Sequence, residues 1–190
     1  MLEHNHIYGV IMPSWNSRGL RGSGLEELIN LTNEKYRQNR LALIQKIPTP
    51  IKPITIDQST RHITLAYFDQ KSTVDYIGAV QGIPVCFDAK ECAEDTFPLS
   101  NVHEHQLSFM HEFEEQGGVA FLLIFFRNKD IFYYLPLRTL DEFEKRAENG
   151  GRKSFRFDEL DPYYQISTHN GVMVHYLEMI DKDLKEREHT

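Results

Sequence analysis

The eight residues from Val119 to Phe126 are all apolar, with no polar residue alternating among them. A strand with one solvated face alternates apolar and polar side chains, whereas a strand covered on both faces does not need to. The segment therefore predicts a strand buried on both sides. Ile131–Leu135 pairs with it across Asn128-Lys129-Asp130. Covering such a strand requires helices on the sheet, so the chain is expected to be a single α/β domain with a central mixed sheet flanked by helices.

The remaining elements follow from periodicity and punctuation. Ser23-Gly24-Leu25-Glu26 reads as a capping box, and Leu25, Leu28, Ile29 and Tyr36 give a helical stripe to about Asn39. Leu41 to Ile47 reads as a short strand closed by Pro48-Thr49-Pro50. Ile54–Ile56 and Ile63–Phe68 flank the polar segment 57–62, the pattern of a projecting hairpin. Val74–Val80 and Ile83–Lys90 form a second pair turned at Gln81-Gly82. A second helix follows Pro98 and Ser100 and stops at Gly117-Gly118; a third spans Leu140–Glu148. Residues 1–20 are expected to be a flexible arm and 181–190 a charged, fraying tail, leaving 21–180 as the folded domain.

Composition narrows the classes. At 190 residues with 41% hydrophobic content, the chain can bury one core. No apolar run approaches the roughly 18 residues of a membrane span, and no signal peptide opens the chain, so a cytoplasmic protein without membrane contact is expected. Cys86 and Cys92 match no zinc spacing and suit a reducing compartment. The net charge of −7 disfavours nucleic acid, but it is uneven. Residues 1–71 carry +3 and residues 72–190 carry −10. A local basic stripe and cations bound at an acidic centre both reduce the objection.

Two acids sit in strand-like apolar context: Asp75 between Val74 and Tyr76, and Asp88 between Phe87 and Ala89. Alternate strand residues share a face, so Asp88 projects with Lys90 and Thr73 with Asp75. If a hairpin sets the two pairs side by side, two carboxylates, a hydroxyl and an ammonium converge. Such a cluster can hold Mg²⁺ and activate water against a phosphodiester. A single buried acid is more often a salt-bridged structural residue; the combined pattern favours the site. Gln106 lies on the apolar stripe Val102, Gln106, Phe109, Met110, Phe113 of the second helix. An amide there must find hydrogen bonds, to a sheet edge or at the metal site. Glu26 is balanced between capping its helix and serving the active site. His103, His105 and His111 show no HExxH spacing and read as surface imidazoles.

The Asp…(Asp/Glu)-x-Lys arrangement resembles the PD-(D/E)xK nuclease superfamily. Longer words make the resemblance more specific: Arg21-Gly22-x-x-Leu25-Glu26-x-x-Ile29-Asn30, Lys46-Ile47-Pro48-Thr49-Pro50, Ala66-Tyr67-Phe68, Ser72-Thr73-x-Asp75-Tyr76-x-Gly78, Phe87-x-Ala89-Lys90-Glu91, and Phe97-Pro98-Leu99-x-Asn101-x-His103-x-His105-Gln106. In this order they resemble the RecU family of Holliday-junction resolvases over about residues 21–160.

The resemblance implies a restriction-endonuclease-like fold and a homodimer that nicks four-way DNA junctions symmetrically with Mg²⁺ or Mn²⁺. It places Thr73, Asp75, Asp88 and Gln106 at the metal and makes Lys90 the stabiliser of the transition state; Glu26 remains a catalytic candidate on the reading of its helix alone. Asp88 stands where the family usually has Glu. The hairpin at about 53–64 stands where the family has a stalk inserted into the junction, but it departs from the family pattern: it looks shorter and less basic, with Arg61 and His62 as its cationic groups. Arg21, Lys46, Arg61 and Lys71 are the expected DNA contacts, and a recombinase is a further expected partner. Two other functions stay open: a less selective endonuclease of the same superfamily, and a DNA-binding recombination modulator with little nuclease activity.

Overall fold

A computed structural model describes residues 24–68, 73–167 and 172–188 of the chain. The central run forms β7 (Val119–Phe126), and all but one of its residues are buried. On one side it pairs in parallel with β5 (Ile83–Cys92), and on the other antiparallel with β8 (Ile131–Pro136). Beyond β5 lie β4 (Tyr76–Val80) and the edge strand β1 (Leu43–Lys46); beyond β8 lies the two-residue β10 (Gln165–Ile166). The order is thus β1-β4-β5-β7-β8-β10, mixed as expected, with β5–β7 its parallel pair.

A parallel pair requires a crossover, and α2 (Glu104–Glu115) supplies it, packing on β5 and β7. On the other face α1 (Leu25–Gln38) packs on β1 and β5 through buried Leu25, Leu28, Ile29 and Tyr36. That face holds an aromatic stack: Phe87 lies 4.7 Å from both Tyr76 and Phe121, and Tyr176 tilts against it. Centroid spacings of this kind add to the large apolar area each ring buries. α3 (Leu137–Glu148) begins three residues earlier than its sequence pattern suggests and packs on β7 and β8. The β4–β5 turn uses Gln81 and Gly82 at φ 48° and 94°, the left-handed pair of a two-residue hairpin turn. Gly78 of β4 cannot be replaced cheaply, because any Cβ would collide with the Leu43 carbonyl of β1.

Two expectations need correction. α1 begins after Gly24, and Ser23 lies outside the described residues. The Leu25 amide instead donates to Glu91 Oε1 on β5 at 3.0 Å, so a carboxylate distant in sequence caps the helix. Residues 181–187 do not fray as a charged tail: they continue α4 (Leu177–Arg187), and residues 189–190 lie outside the described residues. Asp183 of α4 is fully buried, accepts from Tyr134 Oη at 2.5 Å and pairs with Arg138 and Arg187. The short strands β6 (Thr96–Pro98) and β9 (Ser154–Arg156), which pair with each other, carried no sequence signal.

The hairpin is present and extends beyond the expected 53–64. β2 (Ile51–Ile56) and β3 (Ile63–Phe68) form a sheet of their own. All of their side chains are exposed except Ala66, which is half-buried. Pro53 is tolerated because a two-stranded ribbon is all edge.

Candidate active site

β4 and β5 bring the two acids together. Tyr76 pairs with Phe87, so Asp75, one residue before β4, falls beside Asp88. Asp88 and Lys90 share the face of β5 that α2 covers, while Phe87 on the other face enters the aromatic stack. Asp75 Oδ2 accepts a hydrogen bond from the Ala89 amide at 2.9 Å, which fixes its carboxylate against β5. Thr73 is half-buried in the segment that leads into Asp75.

Asp88 has no solvent exposure at all. Its Oδ1 accepts from Gln106 Nε2 at 2.8 Å. Lys90 Nζ lies 2.5 Å from its Oδ2, a close ion pair that compensates its charge. Gln106 Oε1 accepts from Lys90 Nζ at 3.3 Å and from the His103 amide at 3.1 Å. The carboxamide therefore ties the first turn of α2 to both catalytic candidates of β5. The expectation that an amide on this stripe must find partners is met, and the His103 backbone is a partner no sequence pattern shows.

Burial chiefly, and the negative charge of Asp75 next, push the Asp88 carboxyl up to about 7; Lys90 opposes the shift. Two acids this close in a low-dielectric site cannot both ionise cheaply without a cation. The charged donors are the oxygens of two carboxylates, Asp75 and Asp88, with Thr73 just upstream of Asp75 in the chain. Paired carboxylate oxygens of this kind fit a hard divalent cation that keeps several waters. Among the described residues no third acid or imidazole joins the pair.

Of the other candidates, Lys46 lies opposite Tyr76 in the sheet, and the neighbouring Ile47 amide donates to Asp75 O at 2.8 Å. Glu26 is on the α1 side, where its half-exposed carboxylate pairs with Lys46 of β1. It neither caps its helix nor joins the two aspartates in this arrangement. Lys46 is correspondingly engaged, although 40% of its side chain remains open to solvent. Arg61 is exposed at the hairpin tip. Arg21 and Lys71 lie outside the described residues. Glu91, which follows Lys90 on the opposite face, was not singled out by pattern; besides capping α1, its Oε2 lies 3.7 Å from Arg127 Nε.

Residues 20–182 match the family model for Recombination protein U. A Holliday junction resolvase RecU of Pediococcus pentosaceus is 39% identical over 169 residues, covering 86% of this chain and 84% of the relative. The protein of the same name from Limosilactobacillus reuteri is 40% identical, covering 85% and 82%. The one from Lactococcus lactis is 41% identical, covering 86% and 78%. Among solved structures, the Holliday junction resolvase Hjc of Archaeoglobus fulgidus aligns with 56% of this chain and 73% of its own, at a TM-score of 0.30 and 8% identity.

Proposed function

Because the chain belongs to the Recombination protein U family, we propose that it is a structure-specific endonuclease that resolves four-way DNA junctions by symmetric nicking in recombination and repair. The observation that carries this is the convergence of Asp75, Asp88, Lys90 and Gln106 on one face of the β4–β5 ladder. A protein that only bound DNA would gain nothing from two carboxylates beside a polyanion. That disfavours the recombination-modulator alternative.

A divalent cation, Mg²⁺ or Mn²⁺ in its place, would supply Lewis-acid activation of water and neutralise charge at the phosphate. Asp75 and Asp88 would hold it, with the Thr73 hydroxyl as a neutral oxygen donor and Gln106 orienting Asp88 beside it. Lys90 Nζ, already 2.5 Å from Asp88, is placed to stabilise charge that develops on the phosphoryl oxygens. Gln106 holds the Asp88 carboxylate and the Lys90 ammonium in register through its two ends. The packed sheet behind them keeps these groups from relaxing, which is what makes such electrostatic stabilisation effective.

A C2 dimer would present two such sites to a two-fold junction and so account for paired nicks. The exposed apolar flanks of the hairpin, including Ile51, Leu65 and Phe68, are an available surface for the second copy. Among the described residues no helix is long and apolar enough to cross a membrane, which is compatible with action on cytoplasmic DNA. A recombinase contact would be tested by co-purification.

Asp75→Asn keeps the shape of the site and removes one charge. It should abolish cation-dependent cleavage while junction binding stays within about threefold of wild type; unimpaired cutting would exclude Asp75 from the metal site.

A further inference from the structure

The tip of the hairpin is a built turn, held chiefly by one side chain. Asp57 Oδ1 accepts three hydrogen bonds: from the Ser59 amide at 2.8 Å, the Ser59 hydroxyl at 2.6 Å and the Thr60 amide at 3.2 Å. Its backbone closes the turn, the amide donating to His62 O at 2.9 Å and the carbonyl accepting from the Arg61 amide at 2.8 Å. Arg61 sits within this turn at φ 57°, a left-handed conformation that residues other than glycine adopt uncommonly. The three hydrogen bonds hold the Asp57 carboxyl down to about 2, so it is ionised under all ordinary conditions.

This turn sits at the far end of two six-residue strands, roughly 20 Å from the point where they leave the body. Neither strand joins the central sheet. A tip on such a ribbon has no core to order it, so its shape must come from its own hydrogen bonds. Beyond the turn, the exposed groups it presents are the Arg61 guanidinium and the His62 imidazole.

Simple charge counting makes Asp57 a defect, a fixed anion on the part of a DNA-binding protein that reaches furthest out. The hydrogen bonds give it a different role. We propose that Asp57 is a positioning residue for junction selectivity, whose carboxylate pre-forms the hairpin tip so that Arg61 and His62 meet the branch point already ordered. Ordering a loop at the moment of binding lowers affinity, and doing so beforehand removes that loss. The selectivity arises because a linear duplex offers no branch point for the tip to enter. This rests on the reading of the chain as a junction nuclease that uses its hairpin as the probe.

Asp57→Ala removes the acceptor. Asp57→Asn keeps an acceptor oxygen for the turn and discards the charge, since asparagine supports the same local turn. A third protein has residues 57–62 replaced by a two-residue Asn-Gly turn. Affinities for a labelled four-way junction and a matched linear duplex are measured in Ca²⁺, with thermal melting to establish that each protein is folded. The expected result is that Asp57→Ala lowers the junction-to-duplex affinity ratio by about tenfold, that Asp57→Asn keeps or improves it, and that the shortened hairpin loses it.

If the shortened hairpin loses selectivity and Asp57→Ala does not, the role given to Asp57 is wrong and the hairpin reading stands. Equal losses in Asp57→Ala and Asp57→Asn would show that the charge matters rather than the turn, which overturns the proposal. A shortened hairpin with unchanged selectivity would overturn the hairpin reading itself.

Discussion

Replacing Asp88 with asparagine should stabilise the cation-free protein while destroying its activity. Asp88 is fully buried, and its carboxyl is pushed up to about 7 from an ordinary 3.8. The folded chain therefore holds this proton more tightly than the unfolded chain does. Stability from this group is fully present below about pH 4 and is lost as pH rises through about 7. A gap of roughly 3 pH units corresponds to a loss on the order of 4 kcal/mol above neutrality. Asparagine retains an oxygen for the Gln106 Nε2 bond and carries no charge to desolvate. It leaves Lys90 without its anion, but that side chain is 19% exposed and can reach water. Allowing for that, the variant should exceed wild type by about 2–3 kcal/mol near pH 8.5 in chelator, or about 5–10 °C in Tm for a chain of this size. Near pH 5 the difference should contract towards zero. Adding Mg²⁺ at alkaline pH should raise the melting temperature of wild type and leave the variant unmoved, because only the intact pair gains binding free energy. Thermal melts across this pH range, with chelator and with Mg²⁺, supply all of these values. Parallel pH profiles for the two proteins would refute the assignment of Asp88 as the strained member of a cation site.

Lys90→Met should reduce cleavage by two or more orders of magnitude with junction affinity nearly unchanged, as expected for a group that acts mainly on the transition state; single-turnover rates against binding isotherms separate the two effects. Asp183→Ala strands two arginines and a tyrosine around a vacated buried carboxylate, and should cost about 3–5 kcal/mol in urea unfolding. Arg61→Ala should weaken junction binding and lower the slope of log affinity against log salt by about one unit, measured by titration at several salt concentrations.

What was legible in the sequence was legible for local reasons. The uninterrupted apolar run of β7 announces a doubly covered strand by itself. The two-residue alternation within Phe87-Asp88-Ala89-Lys90 puts the acid and the lysine on one face without knowledge of anything else. A polar residue on the inward stripe of α2 flags Gln106 as needing partners. What was not legible depends on distant neighbours. Glu91 caps α1 from 66 residues away, so a local capping box at Ser23 looked sufficient. The ionic composition of 181–190 resembles a tail until Tyr134, Arg138 and Arg187 enclose Asp183. Glu26 was balanced between two roles; it makes no cap, and the ion pair it forms with Lys46 of the edge strand is a contact between residues distant in sequence. Strands of three residues such as β6 and β9 have too few positions to show a period.

The central claim is tested most directly by incubating the purified chain with an end-labelled mobile four-way junction and a matched linear duplex, each with Mg²⁺ and with chelator. Paired nicks at symmetric positions in the junction, absent with chelator and absent from the duplex, are the predicted result. Junction binding without cation-dependent cleavage, or equal cutting of the linear duplex, would contradict it.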